Sequence, residues 1–393
     1  MQSLKMLGNW LRKASVIKHE YRVRTLLSGV RSLLDSSVLA LTNLGRSREG
    51  TAETKHKIKA TDRLLGNHHL HAERNSIYRE MAMTLLATVK NPIILVDWAD
   101  TGMTSKNKLH ILKAAVPVDG RAIPVYEEVY TEECYNNARI HRDFLKNLQA
   151  IIPATCKPVI VTDAGFKVPW FQDVVANGWD FLGRVRGESQ YLDPETGAWT
   201  KISRLYEKAT TRVRRFADIC LTRSKRFVCD LYLVRGAKQK KGQGYQDKNK
   251  YKRMHKTPWL LATSLPPGRN RGRVLKQLYT QRMQIEENIR DLKSHRFGFG
   301  LRTAYTKRTA RAEILLLIAA LATFSLWLLG LAAKAKGIVR HFQVNTIRDR
   351  AVLSVIFLGK ELWRNQKYIF TLEELSDALE QLKQIVCRNA QYI

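Results

Sequence analysis

Two short stretches decide the fold of this chain: residues 92–97, PIILVD, and residues 158–163, PVIVTD. Each is a run of branched apolar residues that ends in an aspartate, which is typical of a buried strand in an α/β sheet. Ligands of such sheets commonly bind in the crevice beyond the strand ends. We therefore expect Asp97 and Asp163 to lie close together in a crevice at the edge of the sheet.

The segments around these runs predict the order of the elements. Residues 110–118 and 122–130 are strand-like and are joined by the turn Asp119-Gly120, so the first three strands form an antiparallel meander. The later elements are helices at 137–152 and 170–177 and a strand at 180–185. Strand, strand, strand, helix, strand, helix, strand is the order of a ribonuclease-H-like α/β fold.

Asp97 and Asp163 together favour a metal site. Two carboxylates on neighbouring strands repel each other, so the pair favours a cation between them. Oxygen ligands favour Mg²⁺, with Mn²⁺ as a substitute, and two-metal sites clamp the attacking and leaving oxygens of a phosphoryl transfer. Each aspartate taken singly is more often the cap of a strand. The pair, on a basic protein, favours metal binding.

The charge of the chain points to a polyanionic partner. The 393 residues include 67 Lys and Arg against 35 Asp and Glu, which gives a net charge of +32. Nucleic acid is the commonest partner of so basic a protein; a ribosomal-type protein and a membrane protein with a basic face are the alternatives. Five cysteines without a C-x-x-C spacing indicate a reducing compartment. The first residues do not have the pattern of a secretory signal, so we expect a cytoplasmic protein.

A third carboxylate comes from the segment 273–294, which has no Gly or Pro and is rich in helix formers. At about 100° per residue, one face roughly 80° wide carries a phenol, an acid and three cations: Tyr279, Arg282, Glu286, Arg290 and Lys293. Glu287 would point about 100° away from Glu286. A solvated, salt-bridged face is the usual reading of mixed charges on a helix. The need of the two aspartates for a third ligand favours Glu286 instead.

These residues carry a family resemblance. The spacing Tyr279-x2-Arg282-x3-Glu286-x6-Lys293 resembles the Y-R-E-K signature of a group of bacterial insertion-sequence transposases, which are DDE enzymes. The segments VDWAD around Asp97 and VTDAGFKVPW around Asp163 resemble the first two acidic motifs of that group. The resemblance extends through most of the chain, from the basic segment 54–67 to the C-terminal region.

The resemblance implies a mechanism. Members act as homodimers on paired transposon ends, with a ribonuclease-H-like core and Mg²⁺. Water cleaves at the 3′ end of the element, the freed 3′-OH forms a hairpin on the opposite strand, and the reopened end joins target DNA. The residues that would hold the metals are Asp97, Asp163 and Glu286. The residues that would grip phosphates are Tyr279, Arg282, Arg290 and Lys293. Arg290 stands where the family often has lysine, which keeps the charge but changes the geometry.

The long interval between Asp163 and Glu286 predicts an insertion at about 188–258. It includes the strand-like residues 226–234 and a basic tract at 235–256 that we expect along DNA phosphates. In the family such a β-rich insertion contacts the transposon end, and a tryptophan just after it supports base flipping. Trp259 occupies that position. A buried residue at the start of a core strand is the alternative reading of Trp259.

The predicted layout has three parts: a helical DNA end-binding domain at 1–85, a catalytic domain at 86–335 and a helical dimerisation region at 336–393. In the first part, helical patterns at 28–44 and 51–65 outline a helix-turn-helix. The residues of the second pattern that would contact DNA are Lys55, Lys59 and Arg63. A pair of helices with a solvated basic face fits the same pattern equally well.

Two C-terminal features leave alternatives open. Thr371-x-x-Glu374 is a capping box before leucines at the spacing of a partner-binding helix, and packing within the subunit is the alternative to dimerisation. Residues 314–333 form an uncharged apolar run of about 20 residues, long enough to span a membrane. A helix that is apolar all round can equally be the centre of a large domain. We expect the second, and hence no membrane partner.

The sequence therefore predicts a metal-dependent DNA transposase that acts on double-stranded transposon ends and target DNA. A ribonuclease-H-like nuclease or resolvase without strand transfer would use the same acids. A non-catalytic DNA-binding regulator is the alternative that requires no chemistry.

Overall fold

The two apolar runs form neighbouring strands, the third and fourth from one edge of a sheet that has ten strands among the described residues. The computed structural model describes residues 2–13, 16–103, 108–235, 257–344, 346–347, 349–350, 352–365 and 367–391. The strands are β1 Ile93–Asp100, β2 Leu109–Val118, β3 Arg121–Thr131, β4 Val159–Thr162, β5 Asp180–Val185, β6 Gln190–Leu192, β7 Trp199–Lys201, β8 Arg214–Leu221, β9 Phe227–Val234 and β10 Trp259–Thr263. Their order across the sheet is β3-β2-β1-β4-β5-β10-β9-β8-β6-β7.

Strands β1, β4 and β5 are parallel, whereas β2 and β3 form an antiparallel meander with β1. The antiparallel meander of the first three strands is the one that the sequence predicts. Strands β6 to β9 lie within the predicted insertion at 188–258, and they extend the same sheet because β9 pairs with β10 and β10 pairs with β5. The fold is therefore mixed α/β with a large central sheet. The basic tract at 236–256 lies outside the described residues.

The largest departures from the predicted helices are at residues 28–44 and 273–294. They are α1 Gln2–Lys13, α2 Glu20–Ser36, α3 Leu41–Arg46, α4 Thr54–Leu65, α5 His68–Leu86, α6 Ala138–Ile151, α7 Val168–Ala176, α8 Arg271–Gln281, α9 Met283–Lys293, α10 Thr309–Ala335, α11 Val355–Arg364 and α12 Leu372–Ala390. The helix predicted over 28–44 is wrong, because Ser37 adopts a left-handed backbone at φ 55° and ends α2. The helix predicted over 273–294 is interrupted at Arg282, where Arg282 N donates to Tyr279 O three residues back.

The sheet has a different cover on each face. Leu95, Val161 and Leu182 face the cluster that contains side chains of α8 and α9. Side chains at alternate positions of the same strands, such as Ile94 and Ile160, belong to a larger buried cluster on the opposite face. The side chains of β1 and β4 that share a face with Leu95 and Val161 therefore point towards α8 and α9.

The apolar run predicted at 314–333 forms most of α10, which is buried within the protein. It is the one described helix that is long and apolar enough to cross a membrane, and its most apolar window is entirely buried. Helix α10 packs against α2, α5, α11 and α12 and against β3. Its one acidic residue, Glu313, pairs with Arg74 of α5 at 2.7 Å. The hydropathy of this helix therefore reflects a position in the core.

Helices from both ends of the chain share the buried cluster around α10. Leu26 of α2, Ile77 of α5 and Leu382 of α12 all belong to it. The predicted capping box is present, with the Thr371 hydroxyl accepting from Glu374 N at 3.1 Å, and α12 packs against α10 and α5. The domain boundaries near 85 and 335 stay predictions. Residues on both sides of each boundary belong to the same buried cluster.

Candidate active site

Asp97 lies inside strand β1, whose end had been predicted at this residue. That prediction is wrong because β1 has two partners of different length. Pairing with β4 stops at Val96–Thr162, whereas pairing with β2 continues from Asp97–Lys113 to Asp100–His110. Asp97 is therefore the first residue of β1 beyond the parallel ladder, at the crevice that opens where β4 ends.

Asp163 follows β4 directly and is the register neighbour of Asp97. The last parallel pairs are Leu95–Val161 and Val96–Thr162, so the next position along both strands holds the two aspartates. Adjacent strands are about 4.8 Å apart, and side chains at alternate positions share a face. Both aspartates therefore lie on the face that α8 and α9 cover. The Asp163 Oδ1 atom also accepts a hydrogen bond from Gly165 N at 2.8 Å.

Arg282 joins the third predicted carboxylate to this pair. Its Nη1 atom lies 3.4 Å from Asp97 Oδ2, and its Nη2 atom forms a hydrogen bond to Glu286 Oε1. The side chain of Arg282 is 13% exposed and that of Glu286 is 41% exposed. The guanidinium thus occupies the space between the two acids. Within the described residues, no group of three or more His, Cys, Asp or Glu side chains is placed to hold a metal ion.

The electrostatic environment of Asp97 favours a bound cation. Burial, followed by the nearby charges of Asp163 and Glu286, raises the pKa of Asp97 to about 7, whereas Arg282 acts in the opposite sense. A divalent cation would stabilise the ionised form of a buried carboxylate such as Asp97. The oxygen donors fit Mg²⁺.

Tyr279 and Trp259 lie against each other beside Arg282. Their ring centroids are 5.0 Å apart in an edge-to-face arrangement, and the Arg282 guanidinium carbon lies 5.8 Å from the Tyr279 ring centroid. Tyr279 is buried, and burial raises the pKa of its hydroxyl. Trp259 opens strand β10 and is partly exposed. The aromatic pair therefore lines one side of the crevice.

Arg290 and Lys293 of α9 have different surroundings. Arg290 is 62% exposed and donates to Glu287 Oε1 at 3.1 Å. Glu287 also lies 3.5 Å from Arg121 of β3, on the flank away from Asp97. Burial lowers the pKa of Lys293, whereas the charges of Asp100 and Asp97 raise it. Lys293 therefore lies within the electrostatic range of the aspartates, whereas Arg290 does not contact them.

The predicted DNA-contacting residues of α4 are all exposed. Lys55 forms an ion pair with Glu53 at 2.9 Å and Lys59 with Asp62 at 3.4 Å. Arg63 lies in the last turn of the same helix. Such exposed pairs contribute little to stability, so the three cations are accessible to a polyanion.

The sequence reasoning missed Arg184, which extends the row of charged residues on the sheet. The parallel pair Thr162–Gly183 places Arg184 at the position beside Asp163, on the same face. Burial lowers the pKa of Arg184, and Tyr279 is the nearby group that most opposes this. Its Nε atom has no hydrogen-bond partner among the described residues. A basic residue at an alternate position of the strand 180–185 is the signal that could have identified it.

A family comparison identifies the class of protein. The family model described as Transposase DDE domain matches residues 67–323, which is more than half of the chain. The chain belongs to this family. The match includes all three predicted carboxylates, and members of the family are DNA-binding transposases that generally use divalent metals such as Mg²⁺. No curated protein matches the chain. The crevice between β1, β4 and α9 is thus the candidate active site of a transposase.

Proposed function

We propose that this transposase moves an insertion sequence by cut-and-paste, with Asp97, Asp163 and Glu286 as its catalytic carboxylates. The observation that carries the proposal is the register of β1 and β4, which makes the two aspartates neighbours on one face of the sheet. Helix α9 covers that face and carries Glu286, which Arg282 joins to Asp97. The strand order around the site supports a ribonuclease-H-like core within residues 86–335.

The carboxylates would hold Mg²⁺, for which Mn²⁺ would substitute. The bound cations would clamp the attacking and leaving oxygens of the reacting phosphate and neutralise its charge. Asp97 and Asp163 are already adjacent. Glu286 joins them when Arg282 turns away, and the freed guanidinium then has a phosphate oxygen as its natural partner.

The reaction series consists of phosphoryl transfers, each of which breaks one P–O bond and forms another. Water first releases the 3′ end of the element. The 3′-OH then attacks a phosphate of the opposite strand, which closes a hairpin and releases the 3′-oxygen of the flanking DNA. Water reopens the hairpin, and the same hydroxyl attacks a target phosphate and releases a target 3′-oxygen. The side chains that we assign to grip the terminal phosphates are Tyr279, Arg282, Arg290 and Lys293. The buried cation Arg184 borders the same crevice and supports this grip.

We assign Trp259 to stack on a base that is flipped out of the terminal duplex. Its partly exposed indole at the crevice and its edge contact with Tyr279 provide an aromatic surface for such a base, which offsets the stacking lost in the duplex. The dense positive charge of the chain supports simultaneous contact with element and target DNA.

The remaining assignments concern the ends of the chain. Residues 1–85 would bind the transposon end through Lys55, Lys59 and Arg63. Residues 336–393 would contribute to a homodimer in the complex with paired ends. Ile369, before α12, is 77% exposed, and Leu372, the first residue of α12, is 38% exposed. We place the protein in the bacterial cytoplasm, bound to DNA of the nucleoid.

The direct test uses purified full-length protein, Mg²⁺ and duplex DNA that carries the terminal sequences of the element in which this gene lies. A denaturing gel should resolve a 3′-cleaved strand, a hairpin and a joined product. Glu286→Gln should abolish all three, whereas the matched control Glu287→Gln should retain them. Excision without a hairpin would overturn the hairpin mechanism, and cleavage without joining would favour a simple nuclease. Loss of activity in both variants would overturn the specific assignment of Glu286.

A further inference from the structure

A buried lysine joins the sheet to the helix that carries Glu286. Lys113 on β2 is 1% exposed, and its register partner on β1 is Asp97. Its Nζ atom donates a hydrogen bond to Asn288 Oδ1 at 2.7 Å and lies 2.9 Å from Glu127 Oε1 on β3, an ion pair without hydrogen-bond alignment. The other Glu127 oxygen accepts a hydrogen bond from the Tyr78 hydroxyl at 3.0 Å. We call these four residues the Lys113 cluster.

Stability alone does not account for the Lys113 cluster. Taking an ammonium and a carboxylate out of water costs several kcal/mol for each ion, and their attraction does little more than offset that cost. Apolar side chains of similar volume often stabilise a protein as well or better. The charges of Lys113 and Glu127 are therefore better explained by a role in positioning a neighbouring element.

The cluster contacts α9 on the flank opposite Glu286. Ile285 and Ile289 are buried and mark the face of α9 that lies on the sheet. Asn288 lies on the side of that face towards β2 and β3, where Lys113 binds it. Glu286 is about 200° from Asn288 around the helix, on the side towards β1. Arg121 adds a second tie on the same flank as Asn288, with its Nε atom 2.6 Å from Asp291 Oδ2.

Small rotations of α9 would move Glu286 by a large amount. The carboxylate of a helical glutamate lies about 5–6 Å from the helix axis. A rotation of about 20° would displace it by about 2 Å, whereas functional groups must be held to within about 0.5 Å. A directional hydrogen bond on the far flank restrains this rotation better than apolar packing does, because apolar contacts tolerate sliding.

We propose that Lys113, Asn288 and Glu127 fix the rotation of α9 and are thereby positioning residues for Glu286. The inference rests on the proposed role of Glu286 as the third metal ligand. The three residues would contact neither DNA nor metal. They would affect metal affinity through the orientation of α9.

The test measures Mn²⁺ affinity of the full chain without DNA, by electron paramagnetic resonance of free Mn²⁺. The double variant Lys113→Met/Glu127→Gln removes both charges, so net charge is unchanged. We expect a tenfold to hundredfold weaker affinity, the usual effect of losing groups that orient a ligand. The single variant Lys113→Arg should keep most of the wild-type affinity. Its guanidinium can still donate to Asn288, and a cavity of about 20 Å³ beside residue 113 gives it space.

Arg74→Met/Glu313→Gln is the matched control. This buried ion pair joins α5 to α10 rather than to α9, and its removal should leave Mn²⁺ affinity unchanged. Asn288→Leu provides a second route if the double variant does not fold, because it keeps the ion pair and removes only the tie to α9. It should weaken Mn²⁺ binding in the same way.

The outcomes separate the two proposals. Wild-type affinity in the Lys113→Met/Glu127→Gln and Asn288→Leu variants, together with lost affinity in Glu286→Gln, would overturn the positioning role alone. Equal losses in the Arg74→Met/Glu313→Gln control would also overturn it, since they would indicate general loosening. Wild-type affinity in Glu286→Gln would overturn the assignment of Glu286 as a ligand, and the positioning role with it.

Discussion

Two polar clusters lie one strand apart on the same face of the sheet, and they balance their charges differently. In the Lys113 cluster, one cation and one carboxylate are buried together and both have further polar contacts. In the active-site cluster, defined as Asp97, Asp163, Glu286 and Arg282, one guanidinium pairs with Asp97 and Glu286, and the charge of Asp163 acts on Asp97. Paired charges in the Lys113 cluster hold the structure in place. The unpaired negative charge of the active-site cluster can be neutralised by a bound cation.

The largest expected effect follows from removing a ligand in the active-site cluster. Asp97→Asn should slow DNA cleavage by at least about a thousandfold, because bound cations supply several kcal/mol of transition-state stabilisation. DNA binding in a gel-shift assay should persist, since phosphate contacts elsewhere provide it. Unchanged cleavage would mean that the chain is a DNA-binding regulator, or that another residue provides the ligand.

A single substitution in the Lys113 cluster should lower stability strongly. Lys113→Met leaves Glu127 buried without its cation, which should cost about 3–5 kcal/mol of the free energy of unfolding. Adding Glu127→Gln should restore stability to within about 1 kcal/mol. Urea denaturation of the three proteins measures this. If the single and double variants are equally unstable, the pairing of these two charges is not what the fold requires.

The excess negative charge should also appear as a pH dependence of stability. The pKa of Asp97 is raised in the folded protein, from an ordinary value of 3.8 to about 7, so folding favours its protonated form. The resulting stabilisation is complete below pH 4 and is lost as the pH rises through 7. Without metal, Asp97→Asn should therefore gain stability over the wild type by a few kcal/mol between these values, at about 1.4 kcal/mol per pH unit. The exposed Asp143→Asn should show no such gain in urea denaturation.

The smallest effect concerns the space beside Asp163. A Cβ atom at Gly165 would lie 2.9 Å from Asp163 Oδ1, so Gly165→Ala must displace the carboxylate. We expect Mn²⁺ affinity to fall by about threefold to tenfold, equivalent to about 1 kcal/mol. Gly268→Ala, whose nearest neighbour would be 3.9 Å away, is the control. Equal affinities in both variants would indicate that Asp163 can move without loss.

Much of the central sheet could be predicted from local patterns. The runs that end at Asp97 and Asp163 and the strand 180–185 are short, apolar and bounded by turn residues, and these are the signals that strands leave in a sequence. The true end of β1 could not be predicted, because it depends on β2 extending past β4. The end of α2 at Ser37 carried no signal either, since a left-handed backbone is more typical of glycine or asparagine.

The polar residues around the site divide in the same way. Helix geometry predicts that Glu286 and Glu287 point in different directions, and in the structure Glu286 pairs with Arg282 beside Asp97, whereas Glu287 pairs with Arg121 and Arg290. Arg184 and Lys113 are single basic residues within strands, and their importance depends on which strands become neighbours. The ion pair between Arg282 and Glu286 agrees with the alternative of a salt-bridged helix face, whereas the contact of Arg282 with Asp97 depends on how the helix packs on the sheet.

Helix α10 has a consequence for how the protein folds during synthesis. The apolar side of α2 packs against α10, yet α10 begins only at Thr309. A ribosome adds about 5–20 residues each second, so α2 waits some tens of seconds for its partner. During this interval the nascent chain carries exposed apolar surface that no earlier segment can fully cover. The N-terminal helices therefore reach their final packing only once most of the polypeptide has been made.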